Sequence, residues 1–416
     1  MNDLHIANTN CGVSTATKLA ELLSSATKLS AALASLNLSG NVLTGATQQT
    51  SHPYAWVNID SNMAGFIALC AVLGKLNEVD LSDCHLGPAS MGELAKVFSD
   101  ADAASVEIVI LDGNPIGSPS AVTLKPGAVA GVAIKKGVFA TVDGRFGEVV
   151  DDSSGRMVDG WAELKWLDDG TTKNYEVDKL NSVVAARTDL IEDYSHVRSL
   201  GEAISGSKVH TCGLANCDFN PATLATFVDS VTWETAVLTT LRCGTNPGMV
   251  GELHPNGRLK TPDVHIEALQ ELLNALKPSG VTELDISAIG IGPTGVDHVA
   301  DYVRDARAAI KVDVSGCNVT QEDVSAVAQL LTAANDASRA RLRAHQVLAF
   351  SEVLHARLGS ECLLQEVAID ADVWRRVAET VRERHGHELM CARLAQAGQP
   401  WFKVTIEGLI AEGVPR

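Results

Sequence analysis

The apolar positions of this chain return at regular intervals. From Leu33 to Leu43 they read Leu-x-x-Leu-x-Leu-x-x-Asn-x-Leu, with Ser35, Asn37 and Ser39 between the leucines. Alternation across Leu36 and Leu38 predicts a short strand with one buried side. Asn41 stands where that strand turns away, and its side chain can bond neighbouring backbone. The same phase recurs at Leu4-His-Ile6, Val79-Asp-Leu81, Val109-Ile-Leu111, Cys212-Gly-Leu214, Leu241-Arg-Cys243, Leu284-Asp-Ile286 and Val312-Asp-Val314. Two steps, Leu36 to Val79 and Leu241 to Leu284, are 43 residues long; those from Val79, Cys212 and Leu284 are 30, 29 and 28. One such unit cannot bury its own apolar side, so the copies must stack.

Between the strands the apolar spacing becomes helical. Met63, Phe66, Ile67, Cys70 and Leu73 share a helix face, as do Leu224, Phe227, Val228 and Val231, and Ile266, Leu269, Leu273 and Leu276. Val324, Val327, Leu330 and Leu331 follow the same spacing. Asn220-Pro221 and Thr261-Pro262 each place a capping residue before a proline at a first helical position. Thr320 with Asp323 has the form of a capping box. The turn position holds Asn at 41, 114 and 246 and Cys at 84, 217 and 317. That alternation, with a helix after each strand, resembles the ribonuclease-inhibitor class of leucine-rich repeats. The resemblance implies an α/β solenoid, a horseshoe with parallel strands inside and helices outside.

The period breaks once. Val109 and Cys212 are 103 residues apart, and the pattern between them is β. Apolar alternation runs through Val129 to Val142, Gly147 to Val150, Trp161 to Trp166 and Asn174 to Val177, with turn signals at Asp143-Gly144, Asp151 to Gly155 and Asp168 to Gly170. This predicts a small all-β barrel inserted within one repeat, whose helix resumes at Val197, Leu200 and Ile204. Leu164-Lys-Trp-Leu-Asp-Asp-Gly-Thr-Thr-Lys-Asn-Tyr175 resembles the SH3-like module of mind-bomb-type ubiquitin ligases, and is similar to Tudor and KOW-type barrels. Carried over, the resemblance puts Trp166, Asp169, Asn174 and Tyr175 on a peptide-binding surface. Trp161 and Trp166 are five apart, so one belongs in the core and the other outside. The expected organisation is repeats over 1–120, the SH3-like barrel over 121–186, repeats over 187–336 and a C-terminal helical cap over 337–416. In that last stretch Val347, Phe350, Leu354 and Leu358, then Val373, Val377 and Val381, follow helical spacing. Arg339, Arg341 and Arg343 offer a basic stripe there as a second reading.

Composition narrows the function. The net charge is -18, which disfavours nucleic acid and anionic membranes as partners, because phosphate contacts need clustered Lys and Arg. Residues 338–416 hold 11 basic and 10 acidic side chains, leaving 22 against 41 for the rest, so the acidity belongs to the repeats and the insert. Nine cysteines, odd in number and mostly at repeat-core positions, are not a disulfide framework and point to a reducing, cytoplasmic setting. The first residues carry no leader pattern, and no apolar run approaches the ~18 residues of a membrane span.

No Gly-rich phosphate loop, nucleophile elbow or zinc-protease motif is present, so no catalytic residue and no cofactor is expected. His385, His387, Glu388 and Cys391 have metal-compatible atoms, but the pattern supplies no second ligand pair, and no metal is expected. The Ser51-His-Pro-Tyr-Ala-Trp56 loop is either a contact site or a loop whose aromatics pack back on the repeats. The strand residues between inward apolar ones line the expected concave face. Those named as partner contacts are Asn37, Glu78, Asp80, Asp112, Arg242, Glu283, Asp285, Lys311 and Asp313. Acidic side chains dominate, which favours a basic protein partner. The expected function is a non-catalytic protein–protein interaction scaffold of unknown oligomeric state. A small-GTPase regulator and a ubiquitin-pathway adaptor are the alternatives.

Overall fold

The computed structural model describes residues 3–25, 32–48, 56–99, 105–126, 128, 130–151, 160–167, 172–254, 257–305 and 311–318, together with four short strands further on. In chain order the elements begin β1 (Asp3–His5), α1 (Val13–Ser24), β2 (Ser35–Asn37), β3 (Thr47–Gln48), β4 (Trp56–Val57), α2 (Ala64–Leu73), β5 (Glu78–Asp80), α3 (Pro88–Ser99) and β6 (Ile108–Ile110). The interrupted repeat adds β7 (Ala121–Leu124), β8 (Phe139–Val142), β9 (Arg145–Asp151), β10 (Trp161–Trp166), β11 (Thr172–Glu176), β12 (Asn181–Val184), β13 (Leu190–Asp193) and α4 (Ser195–Gly206). Then come β14 (Thr211–Gly213), α5 (Pro221–Ser230), β15 (Thr240–Arg242), β16 (Glu252–Leu253), β17 (Leu259–Thr261), α6 (Ile266–Leu276), β18 (Glu283–Asp285), α7 (Pro293–Asp305) and β19 (Lys311–Asp313).

The chain divides into two compact units, Met1–Val106 with Gly113–Ser207, and Glu107–Asp112 with Lys208–Arg416. In the first, β1, β2 and β5 pair in parallel and in register, Leu4 beside Leu36 beside Val79. In the second, β6, β14, β15, β18 and β19 do the same, with Val109, Cys212, Leu241, Leu284 and Val312 in one row. That row is buried, while the residues on either side of it in each strand are half-buried on most strands. Each unit is thus a mixed α/β stack: parallel strands with mostly buried central residues, and a helix after most of them.

The turn positions hold the stack together. Asn41 accepts the Cys11 N–H at 2.8 Å and the Thr9 N–H at 3.1 Å, and donates to the carbonyls of Ile6 at 2.7 Å and Leu38 at 2.8 Å. Asn246 repeats this, accepting from Cys217 and Phe219 and donating to Leu214 and Cys243. Asn114 accepts from Leu86 and donates to Leu81. Where Cys replaces Asn only the donor remains: Cys84 Sγ reaches the Leu38 carbonyl at 3.2 Å, and Cys217 Sγ the Leu111 carbonyl at 3.3 Å. All of these side chains are buried, so each satisfies backbone that water cannot reach.

The two long repeats share a device. Each carries a small antiparallel hairpin, β3–β4 and β16–β17, and leaves it through an aspartate in the left-handed region, Asp60 at φ 57° and Asp263 at φ 59°. That aspartate caps the helix of the following repeat. Asp60 accepts the N–H groups of Gly87 and Ser90 at the start of α3, both at 3.1 Å. Asp263 accepts those of Gly292, Thr294 and Gly295 at the start of α7, at 2.7, 2.9 and 3.2 Å. The Asn220 cap expected for α5 is present, taking the Ala222 and Thr223 N–H groups. The Thr261-Pro262 start is not: α6 begins at Ile266, because Thr261 ends β17 and Asp263 is turned toward α7. Thr320, Asp323, the helical positions around Val324 to Leu331 and the His385 to Cys391 cluster lie outside the described residues. The C-terminal helical cap lies there too, apart from the strand pairs Leu363–Leu364 with Val367–Ala368 and Ala392–Leu394 with Phe402–Val404.

The insertion is an antiparallel sheet in the order β11-β10-β9-β8-β12. The expected closed barrel is not formed among the described residues: β11 and β12 are the two edges, and no pairing joins them. Register shifts at Glu163/Leu164 and between Asn181 and Val184 bend the sheet without closing it. One face is cored by Val138, Ala140, Val149, Leu164 and Trp166. Phe139 and Phe146 point the other way, toward Val122, Leu124 and Leu190 on the β7–β13 ribbon. The expected strand from Val129 is shorter, running only over Phe139–Val142. The ends of the insertion meet: Ala121 pairs with Asp193, and the Ser120 N–H bonds the Asp193 carbonyl at 2.8 Å.

Two outcomes follow from this architecture. Asn246→Ala strands two buried N–H groups and two carbonyls, and should cost roughly 3 kcal/mol or more in denaturant unfolding at ~1–3 kcal/mol per unsatisfied group. Cys84→Ala, which removes one weak donor, should cost clearly less. Replacing residues 122–192 by a short Gly/Ser linker should leave a cooperatively folded chain, since closing a loop at a pre-formed neck changes the entropy cost by only ~1–2 kcal/mol. Unfolding of that variant at room temperature would make the insertion part of the repeat core.

Candidate functional site

On every repeat strand but β1, where Leu4 is half-buried, the central residue is buried toward the helices, and its two neighbours face the open side of the sheet. In the second unit these neighbours form two rows. One runs Ile108, Thr211, Thr240, Glu283, Lys311; the other runs Ile110, Gly213, Arg242, Asp285, Asp313. A pocket of about 100 Å³ opens between them, lined by Thr240, Arg242, Glu283, Leu284, Asp285, Lys311 and Asp313. The structure therefore brings together five of the expected contact residues, with Asp112 beside them. Asn37, Glu78 and Asp80 lie on the first unit's sheet, where Asn37 Nδ2 donates to Asp80 Oδ2 at 2.7 Å.

The strand-end polar residues have a second task that the charge pattern did not disclose. Asn37, Asp80, Asp285 and Asp313 each accept the N–H two residues on, from Ser39, Ser82, Ser287 and Ser315, at 2.9, 3.0, 2.9 and 2.9 Å. They fix the exit of each strand as local side-chain turns. The signal is legible as Asn-x-Ser or Asp-x-Ser at the ends of these four strands. Asp112 instead spans the next two repeats: one oxygen accepts the Ala215 N–H after β14 and the other meets Arg242 Nη2 on β15, both at 2.8 Å. Two glycines clear space for these carboxylates. A Cβ on Gly213 would meet Asp112 Oδ1 at 2.7 Å, and one on Gly244 would meet Asp285 Oδ1 at 2.6 Å.

Neutralisation of the acidic row is thus not structurally silent when it removes the acceptor. Arg242 with Asp112 is a partly exposed pair, worth at most ~1 kcal/mol. Its larger effect is to hold the guanidinium in one place beside Asp285.

The insertion's expected contact surface is corrected at Trp166. Trp166 is only 4% exposed and belongs to the core, because β10 turns Ala162, Leu164 and Trp166 inward. Tyr175 packs edge-on to it at 5.6 Å, and the Arg145 guanidinium covers the Trp166 ring at 4.6 Å. The exposed tryptophan is Trp161, at 38%. Asn174 is exposed on β11, and Asp169 lies outside the described residues. Trp56 stacks on His85 with ring centroids 3.7 Å apart, so this end of the His-Pro-Tyr-Ala-Trp loop packs back on the repeats. Burial pushes the His85 imidazole below its usual pKa against the pull of Asp83.

Seven buried thiols lie in the described residues. Burial pushes Cys70, Cys84 and Cys212 up to about 12, with Glu93 adding to the effect at Cys70. They are neutral donors and core atoms rather than nucleophiles.

No protein-family model matches this chain, and no curated protein matches it. Among solved structures it is similar to the leucine-rich repeat-containing protein LegL7 from Legionella pneumophila, at 12% identity and a TM-score of 0.43, over 94% of this chain and 93% of that one. That likeness is too distant to bear on function.

Two measurements test these roles. Asp285→Ala and Asp313→Ala should each lower stability by about 1 kcal/mol in chemical denaturation, and the Asn variants by less, because Asn37 already performs the same bond. Cys70, Cys84 and Cys212 should resist alkylation at pH 8 until the chain unfolds. An unfolded thiol ionises near 9.0 and these folded ones near about 12. The unfolded chain therefore binds fewer protons within that window, and stability should fall as pH rises through it.

Proposed function

We propose that the protein is a non-catalytic interaction scaffold that binds another protein on the open faces of its repeat strands. The observation that carries this reading is the fixed grid of polar side chains in the second unit. Arg242, Asp285 and Asp313 are each held by a bond to Asp112 or to the next turn, so partner contacts cost little side-chain ordering. A reducing, cytoplasmic setting is supported by Cys84 and Cys217, which bond carbonyls as thiols. We read the insertion as a second, SH3-like contact module in open form, supported by its antiparallel strand order. Two modules on one chain would gain affinity through effective concentration. The small-GTPase and ubiquitin-pathway alternatives gain nothing from the geometry, with Arg242 tied to Asp112 and Trp166 buried.

A photo-cross-linking residue placed at Thr240 in the full chain tests this, with the same residue at Ile67, 47% exposed on α2, as the control. Capture of a discrete protein partner from Thr240 and not from Ile67 is expected. Capture from neither position, with turnover of a substrate by the purified chain, would overturn the reading.

A further inference from the structure

The insertion leaves and re-enters the first unit through two clasps. The outer one is exposed: the Ser120 N–H bonds the Asp193 carbonyl at 2.8 Å, and Ser120 Oγ reaches Asp193 Oδ2 at 2.9 Å. The inner one is buried. His196, on the first turn of α4, meets the carbonyl of Ile116 through Nε2 at 2.9 Å. His196 is 5% exposed, and Ile116 is fully buried. Gly117, Ser118 and Pro119 separate the two clasps on the outgoing chain, and Tyr194 and Ser195 separate them on the returning one.

A carbonyl can only accept, so Nε2 carries the proton in the inner clasp and Nδ1 is left with its lone pair. Among the described residues Nδ1 has no partner. The clasp is therefore specific to the neutral ring. A second proton would go on Nδ1, where a buried N–H and a full charge would meet no acceptor. The surroundings do not compensate in place. Tyr194 lies beside the ring, with centroids 6.5 Å apart, and neither β7 nor the segment from Ile116 to Ser120 carries a charged side chain. Asp193 and Asp60 are the carboxylates that act on His196. Both are engaged, Asp193 by the Ser195 N–H and the Ser120 hydroxyl, Asp60 by the N–H groups of Gly87 and Ser90. Glu192 on β13 bonds Arg187 and Tyr194. On α3, which packs along α4, Glu93 and Lys96 pair with each other. Arg198 and Glu202 on α4 itself are exposed. Burial outweighs the two carboxylates and holds the imidazole below its usual 6.5.

We propose that His196 is a pH-operated clasp on the neck of the insertion. Neutral, it ties the returning helix to Ile116. Protonated, the ring leaves the Ile116 carbonyl for the Asp193 carboxylate and competes with Ser120 there, so the two clasps loosen together. The proton comes from solvent, and no covalent bond other than its own N–H is made. The direction follows from linkage. With the neck open the imidazole is in water and binds a proton more readily than in the closed neck. Closure is therefore fully favoured above pH 6.5 and weakens as pH falls below that value toward the closed-state pKa. The inference stands apart from the scaffold reading, because it needs no partner.

Amide hydrogen exchange of the intact protein, compared at about pH 7.5 and about pH 5.5 after correction for intrinsic exchange rates, tests this. Peptides covering residues 116–124 and 190–197 should lose protection severalfold at the lower pH, while those covering α5 and β15 keep theirs. His196→Gln retains an N–H donor for Ile116 and cannot titrate, so its neck should be equally protected at both. A second measurement needs no variant. Exchange of the His196 Cε1 proton across the same pH series gives that residue's own titration midpoint. It should lie below 6.5 and coincide with the midpoint of the neck's opening. Unchanged protection of the wild-type neck, the same loss in His196→Gln, or a His196 midpoint separate from that of the neck would overturn the proposal. If the glutamine variant is already open at the higher pH, the coincidence of the two wild-type midpoints decides.

Discussion

The fold depends on a few buried carboxamides. A parallel stack of short strands leaves backbone N–H and C=O groups wherever each strand turns out of the sheet, and leucines cannot satisfy them. Asn41 and Asn246 each meet four such groups, split between their own repeat and the one before. Packing alone tolerates many aliphatic combinations. A carboxamide at the turn does not tolerate sliding, because a repeat shifted by one residue loses all of its bonds together. The hydrophobic layers stabilise the stack, and the asparagines set its register.

Those anchored strand ends decide what the open face presents. Because Asp285 and Asp313 bond the next turn with one oxygen, their carboxylates are held in place before any partner arrives. The glycines at 213 and 244 then admit a carboxylate that any larger residue would displace. The acidity of this surface is therefore partly a consequence of how the strands end. On β6 the residues either side of the buried centre are isoleucines, both half-buried.

The repeat strands were legible from the chain because their pattern is local: apolar residues two apart, then Asn or Cys three to five further on. The β content of the insertion was legible for the same reason. Its closure was not, since whether β11 meets β12 depends on long-range curvature that alternation does not encode. Trp166 illustrates the limit for sites. A Trp-x-x-x-Gly stretch fits a binding surface or a core equally well, and only the facing of β10 places the ring inside. The acidic strand-end residues are legible by position, and the Asp-x-Ser that recurs at 80, 285 and 313 is the local signal for their bonds to the following serines. The capping role of Asp60 and Asp263 was hidden because the helix each one serves lies in the following repeat, nearly thirty residues away.

That capping geometry bears on how the protein is made. A chain leaves the ribosome from its N-terminus, so Asp60 is already outside when Gly87 and Ser90 emerge, and Asp263 when Gly292 to Gly295 do. The first N–H groups of α3 and α7 therefore meet a waiting carboxylate, with the helix nucleus, its least favourable part, forming on a surface built by the repeat before. In those two places the growing chain supplies its own template, and each long repeat hands a start signal to its successor.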